Sequence, residues 1–262
     1  MFDWRNTSVE IRDAAPALAI LPLAAIEQHG PHLPLATDLV IMNGLARRVA
    51  EALPEPAFLL PTFPYGTSLS QAGFAGTLWL TADTLLSVVR DTVESLHAHG
   101  VQQTVVLNNH CVPGGTTSLP HGNFVVKTAV RQLNYDHPAH STVWVQPLAV
   151  ASDRLTAIFG PGCRDDVHAG TVATSILLHL REDLVQGTAR DFTPAVSREY
   201  LDVVALADLC PDGVWGRPEQ ASAERGTAAL TAAVECTVAY IETTLRQLAA
   251  AKARDHAERQ AS

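Results

Sequence analysis

Short apolar runs at residues 17–26, 57–61, 103–108 and 142–149 alternate with longer segments whose apolar residues recur every three or four positions. Runs of that length suit strands buried on both faces, and segments of that period suit the helices that cover them. The pattern is therefore that of βαβ units around a mostly parallel sheet, an α/β fold. Thr37 is the expected N-cap of a helix from about Asp38, and Thr81 and Gly100 bracket another over 82–99. The segment 219–250 has the period of a closing helix, and the polar tail from about 251, "AKARDHAERQAS", is expected to fray. No repeat and no linker rich in Pro, Gly or Ser divides residues 1–262, so one domain is expected.

A chain of 262 residues that is 47% hydrophobic has the material for a sizeable core. Its 18 Lys and Arg against 27 Asp and Glu leave a formal charge of −9, with no basic run, which argues against a nucleic-acid partner. The apolar stretch Ala14 to Ile26 follows Asp3, Glu10 and Asp13, unlike a secretory signal, and falls short of the roughly 20 residues that cross a bilayer. A cytoplasmic protein with a small-molecule partner and no membrane contact is expected. Cys111, Cys163, Cys210 and Cys236 form no CxxC pair, so neither a disulfide framework nor a zinc knuckle is indicated.

The stretch "EQHGPHLPLATD" (27–38) crowds a glutamate, two histidines and an aspartate directly behind an apolar strand. Such groups are costly to bury unless paired, hydrogen-bonded or bound to a metal. In open parallel sheets, ligands sit at the carboxyl ends of the strands. Glu27 and His29 follow the first strand there, "NNH" (108–110) follows "QQTVVL", and "DDVHAG" (165–170) precedes a helical segment. Imidazole and carboxylate are the donors that hold hydrolytic divalent metals, and Glu27, His29, Asp38 and His110 supply that set. The other histidines have no such context. His97 and His99 are two apart on a helix and do not share a face, while His137, His140, His179 and His256 have no partners in sequence.

"EQHGPHLPLATD", "VVLNNH", "FAGTLWL", "HAG" before "TS", and "DGVWGRPEQASAERG" together resemble the creatininase family of metal-dependent amidohydrolases. The resemblance implies a three-layer α/β/α sandwich, a homo-hexamer, and hydrolysis of a small non-peptide or cyclic amide such as creatinine, a lactam or a formamide. It also implies zinc, or else manganese or iron, one or two ions per chain. Glu27 and His110 would bind one metal and His29 the other, with Asp38 bridging. His168, at the "HAG" position, would stabilise the tetrahedral intermediate or protonate the leaving nitrogen. Independently of the resemblance, His32 is expected to line the site, and the aromatic surfaces of Trp144 and Trp215 make them candidate walls of the substrate pocket.

The chain also departs from the family pattern. Where the family commonly reads "NGHGGN" and "HAGExETS", this sequence has "NNHCVPGGTTSLPHGN" and "HAGTVATS". Thr171 and Ala173 stand at usual glutamates, Val112 at a glutamate of creatininase itself, and Gln71 at a frequent histidine. A carboxylate ligand of the second ion is thus missing, which leaves two divalent ions less well neutralised and weakens the second most, so a mononuclear site and a substituted dinuclear site both stay open. Cys111, Asp165 or Asp166 are the candidate substitutes. His121 could replace His110 in a shifted alignment, but His110 directly follows the strand. Two further readings stay open: a member that catalyses condensation or cyclisation, and a degenerate homologue that only binds a metabolite or partner.

Overall fold

The computed structural model describes residues 1–108 and 121–261, with side chains placed for 1–108 and 123–254. The strands are β1 (Phe2–Asp3), β2 (Leu18–Leu23), β3 (Ala57–Leu59), β4 (Gln103–Asn108) and β5 (Ser141–Val145). They form one parallel sheet in the order β1-β3-β2-β4-β5. The helices are α1 (Ser8–Ala14), α2 (Thr37–Ala52), α3 (Ala82–Ala98), α4 (His121–Asp136), α5 (Pro147–Val150), α6 (Ser152–Phe159), α7 (Thr171–Arg181), α8 (Leu206–Leu209) and α9 (Ala223–Ala261).

The period of two along the strands divides the core into two layers. Ile20, Val105, Leu107, Val143 and Val145 face α2, α7 and α9, whereas Leu21, Leu23 and Val106 face α3 and α4. The result is a three-layer α/β/α sandwich. The crossover from β2 to β3 through α2 lies on one face, and those through α3 and α4 lie on the other. Strands β2 and β4, paired from Leu18↔Gln103 to Leu23↔Asn108, therefore form the topological switch point of the sheet, the place where open parallel sheets bind ligands.

Pro22 sits within β2 although it has no N–H to donate. Its carbonyl accepts from Phe63 N at 2.9 Å, on the side where β3 has already ended at Leu59, so the missing donor leaves no ladder bond broken.

Three local expectations need correction, and one strand was not foreseen. Helix α2 begins at Thr37 itself, and the Thr37 hydroxyl donates back to Pro34 O at 2.6 Å and so makes no cap bond. The run 142–149 divides at Gln146, and Pro147 starts the short helix α5, a position where its absent N–H is harmless. The two-residue edge strand β1 is too short to show a period. The tail does not fray: α9 continues to Ala261, in keeping with the Ala, Lys, Arg and Glu that dominate it. Thr81 caps α3 as expected, its hydroxyl accepting from Thr84 N at 3.3 Å.

Helices α7 and α9 pack backbone to backbone at Gly226, where a Cβ would lie 1.8 Å from Ser175 O. Helix propensity alone favours alanine at a helical glycine by about 1 kcal/mol. The contact reverses that sign. Gly226→Ala is expected to destabilise the chain by about 3 kcal/mol and to lower its thermal midpoint by roughly 6–12 °C in calorimetry. An unchanged or raised midpoint would refute this account of the α7–α9 contact.

Candidate metal centre

The loop after β2 carries the ligand-type side chains and is pinned along its length. Glu27 N donates to Leu35 O at 3.0 Å, Leu78 N to Ile26 O at 2.9 Å, and Gln28 N to Thr77 Oγ1 at 3.1 Å. The Gln28 amide then buckles three segments together. Its Nε2 donates to Gln71 Oε1 at 2.6 Å and to Gly213 O at 3.1 Å, and its Oε1 accepts from Gly30 N at 2.8 Å. Gly213 is needed there: its φ is +73°, and a Cβ would lie 1.9 Å from Gln28 Oε1.

Two imidazoles are oriented by carbonyls of this loop. His29 Nδ1 lies 3.1 Å from Glu27 O, and His168 Nε2 lies 2.6 Å from Gln28 O. A carbonyl only accepts, so these nitrogens carry the protons. The lone pairs are left on His29 Nε2, 3.4 Å from Asp38 Oδ1, and on His168 Nδ1, 3.8 Å from Glu27 Oε1. The two rings stand 4.4 Å apart, and ligand atoms of Glu27, His29 and His168 all converge within 4.8 Å of one another.

Glu27 and His29 are only 1% and 3% exposed. Burial opposes a charge on His29, but Asp38 foremost and then Glu27 outweigh it, and the net shift of its pKa is upward. A lone pair facing a carboxylate in a buried place is repulsive until a cation lies between them. This donor set, with each imidazole held from behind by a carbonyl, fits a divalent metal ion.

His168 is set by its backbone. Its N–H donates to Trp215 O and its carbonyl accepts from Trp215 N, both at 2.9 Å. The next residue, Ala169, takes the left-handed conformation at φ +52°, which a non-glycine adopts only when its surroundings enforce it. Asp166 provides that constraint. Its Oδ2 accepts from Val172 N at 3.0 Å at the start of α7, and its Oδ1 accepts from Arg217 N at 2.9 Å. Burial pushes its carboxyl up to about 6 against the pull of those N–H groups. Cβ atoms on Gly170 or Gly216 would fall 1.8 and 2.1 Å from its Oδ1.

Other expected site residues fall elsewhere. Asp166 is not aimed at the ligand cluster, because its oxygens are taken up by the start of α7 and by Arg217 N, and Asp165 is exposed. Trp144 packs on the α3–α4 side of the sheet, with Lys127 Nζ 5.8 Å from its ring centre. Trp215 is 2% exposed in an apolar cluster with Leu206 and Cys210, so its backbone braces the site while its ring fills the core. His32 lies beside the cluster, its Nε2 3.0 Å from Thr174 Oγ1, and burial pushes it down to about 4. Thr171 Oγ1 donates to Arg217 O at 2.6 Å, and Ala173 packs against the core. His110 and Cys111 lie outside the described residues, as does the His121 side chain. The flanks of that segment are clipped by Asn108 Nδ2 donating to Asn123 Oδ1 at 2.7 Å.

Sequence reasoning missed Gln28, Thr77 and Asn123, whose amides and hydroxyl hold the loops. Each lies in a quoted motif, but nothing in a motif says which distant carbonyl an amide will reach.

Fold and site together define a class: a parallel α/β sandwich with a buried carboxylate–imidazole cradle for a divalent metal at the carboxyl rim. The family model for creatininase, described as creatinine amidohydrolase, matches residues 4–241. A mycofactocin precursor peptide peptidase of Mycobacterium ulcerans (strain Agy99) is 30% identical over 237 residues, 84% of this chain and 82% of that protein. A creatinine amidohydrolase of Pseudomonas putida is 27% identical over 251 residues, 88% of this chain and 91% of that protein. A crystal structure of creatinine amidohydrolase superposes with a TM-score of 0.75 at 25% identity, covering 92% of this chain and 97% of that one. The chain belongs to the creatininase family.

The two roles open to Asp166 separate cleanly. Asp166→Ala is expected to cost about 2 kcal/mol through the lost helix-start and Arg217 bonds, while leaving metal content per chain unchanged by elemental analysis. Loss of an ion from a folded Asp166→Ala variant would make it a ligand after all.

Proposed function

We propose that this family member is a divalent-metal-dependent amidohydrolase that cleaves the C–N bond of a small non-peptide or cyclic amide of the creatinine, lactam or formamide kind. The observation that carries this reading is the buried His29 Nε2, 3.4 Å from Asp38 Oδ1 and beside the buried Glu27 carboxylate. Glu27, His29 and Asp38 would hold the ion, with zinc the first choice for such mixed nitrogen and oxygen donors and manganese or iron as alternatives. His110 is the further ligand expected from the sequence. A bound cation supplies water acidified toward neutral pH and polarisation of the amide carbonyl.

The protein's own part in the reaction is proton handling. His168 keeps one proton on Nε2 through Gln28 O, so only Nδ1 takes up a second. Glu27 Oε1, 3.8 Å away, stabilises the imidazolium that results. That proton is then available to a leaving nitrogen, which departs poorly as an anion. Gln28 and Trp215 keep the ring from turning. Thr171 and Ala173 give no carboxylate to a second ion, which favours one ion at this centre.

A second reading is cleavage of a peptide bond, favoured by the 30% identity to the mycofactocin precursor peptide peptidase. The same proton handling serves both substrates, so specificity must come from the loops around the rim. A hexameric assembly and a cytoplasmic location complete the proposal.

Assay of the purified chain, supplied in turn with zinc, manganese or iron, against creatinine, lactams, formamides and short peptides tests it. Turnover of one amide class, abolished by chelation and restored by metal, is expected. No turnover of any member by a protein shown to hold metal would overturn the enzymatic reading. Asp38→Ala should lose bound metal. His168→Asn should keep metal while kcat falls about 100-fold or more, as for loss of a general acid. Loss of metal from His168→Asn would instead make His168 a ligand.

A further inference from the structure

A second cluster of imidazoles lies at the opposite end of the sheet, where β4 and β5 begin. His97 is in the last turn of α3, and His137 and His140 are in the turn between α4 and β5. The His97 ring stacks on His140 at 3.9 Å between centres and 12° between planes, and meets His137 edge-on at 5.4 Å, while His137 and His140 are 6.4 Å apart. Glu94, one turn before His97, brings its Oε1 to 3.4 Å from His137 Nε2.

Three features of this cluster point to a cation. Both nitrogens of His97 are shut off from solvent and make no hydrogen bond to protein, although buried polar atoms are nearly always satisfied. Burial pushes His97 down to about 4 and His140 in the same direction, so lone pairs are free at neutral pH. The carbonyl ends of two helices, α3 and α4, converge here, and their dipoles favour positive charge. The resident cations are already engaged, Arg90 by Glu94 and Asp136, and Lys252 by the carbonyl of His140 at 2.5 Å.

We propose that His97, His137 and His140, with Glu94 as a fourth donor, form a second metal site for zinc, copper or nickel, which ties α3 to the α4–β5 turn. Two imidazoles on one tetrahedral ion, with metal–nitrogen bonds near 2.0–2.1 Å, stand about 5 Å apart at their ring centres. The three observed separations bracket that value. Binding requires the half-buried His140 ring to rotate out of the stack. The role is structural, since the site lies at the far end of the strands from the candidate metal centre.

The test is zinc content after equilibration with excess zinc and gel filtration, measured by elemental analysis on the wild type and on His97→Gln, His140→Asn and His99→Asn. His97→Gln and His140→Asn should each hold one zinc fewer per chain than the wild type. The control His99→Asn, exposed at the residue that follows the same helix, should match the wild type. Equal content in all four proteins, or the same loss in the control, would overturn the proposal. Should His97→Gln fail to fold, His140→Asn, which removes only a half-buried ring, decides alone. Cobalt in place of zinc gives a second readout: visible absorption of a tetrahedral site that is present in the wild type and reduced in His140→Asn.

Discussion

Two backbone carbonyls, those of Glu27 and Gln28, set the chemistry of this protein. Each fixes one imidazole by accepting a hydrogen bond from its ring N–H, and thereby turns the opposite nitrogen toward a carboxylate. Left alone, that arrangement sets lone pair against negative charge in a place nearly closed to water. Only a proton or a cation relieves it, so orientation of the rings amounts to a demand for positive charge. Much of the surrounding structure maintains that orientation: the Gln28 buckle, the paired backbone of His168 and Trp215, and the left-handed turn at Ala169.

The sheet determines where this can happen. Because α2 covers one face and α3 and α4 the other, the connections that leave β2 and β4 serve opposite faces of the sheet. The side chains of the β2 loop and the Asn108–Asn123 contact thus lie at one rim of the sheet. Asp38, in the first turn of that helix, adds the favourable end of its dipole to a carboxylate already facing His29.

The departures from the family pattern also have a physical reading. At 171 a hydroxyl closes on Arg217 O and at 173 a methyl packs in the core, so two positions where the sequence motif leads one to expect glutamates serve the seam between α7 and the 212–217 segment. Asp166 works on the same seam, which explains why an acidic residue two positions before His168 is absent from the ligand cluster. Its buried carboxylate holds the turn that holds the histidine.

The sequence by itself determined the α/β class, four of the five strands, the caps of α3 and the crowding of Glu27, His29 and Asp38 behind the strand β2, because apolar period and crowded polar motifs are local signals. Edge strand β1 was too short to carry one. The start of α2 and the end of α9 also depend on competition between a hydroxyl, a carbonyl and helix propensity that differs by a residue or a few tenths of a kcal/mol. Only the tertiary structure decided what the partners of those side chains are. Gln28 finds Gln71 and Gly213, Asp166 finds Arg217, Trp215 turns into the core, and three histidines with no partners in sequence meet between α3 and the α4–β5 turn. Each of these contacts joins segments far apart in the chain, and hydrogen-bond reach of about 3 Å is set by how the layers pack, which no local pattern encodes.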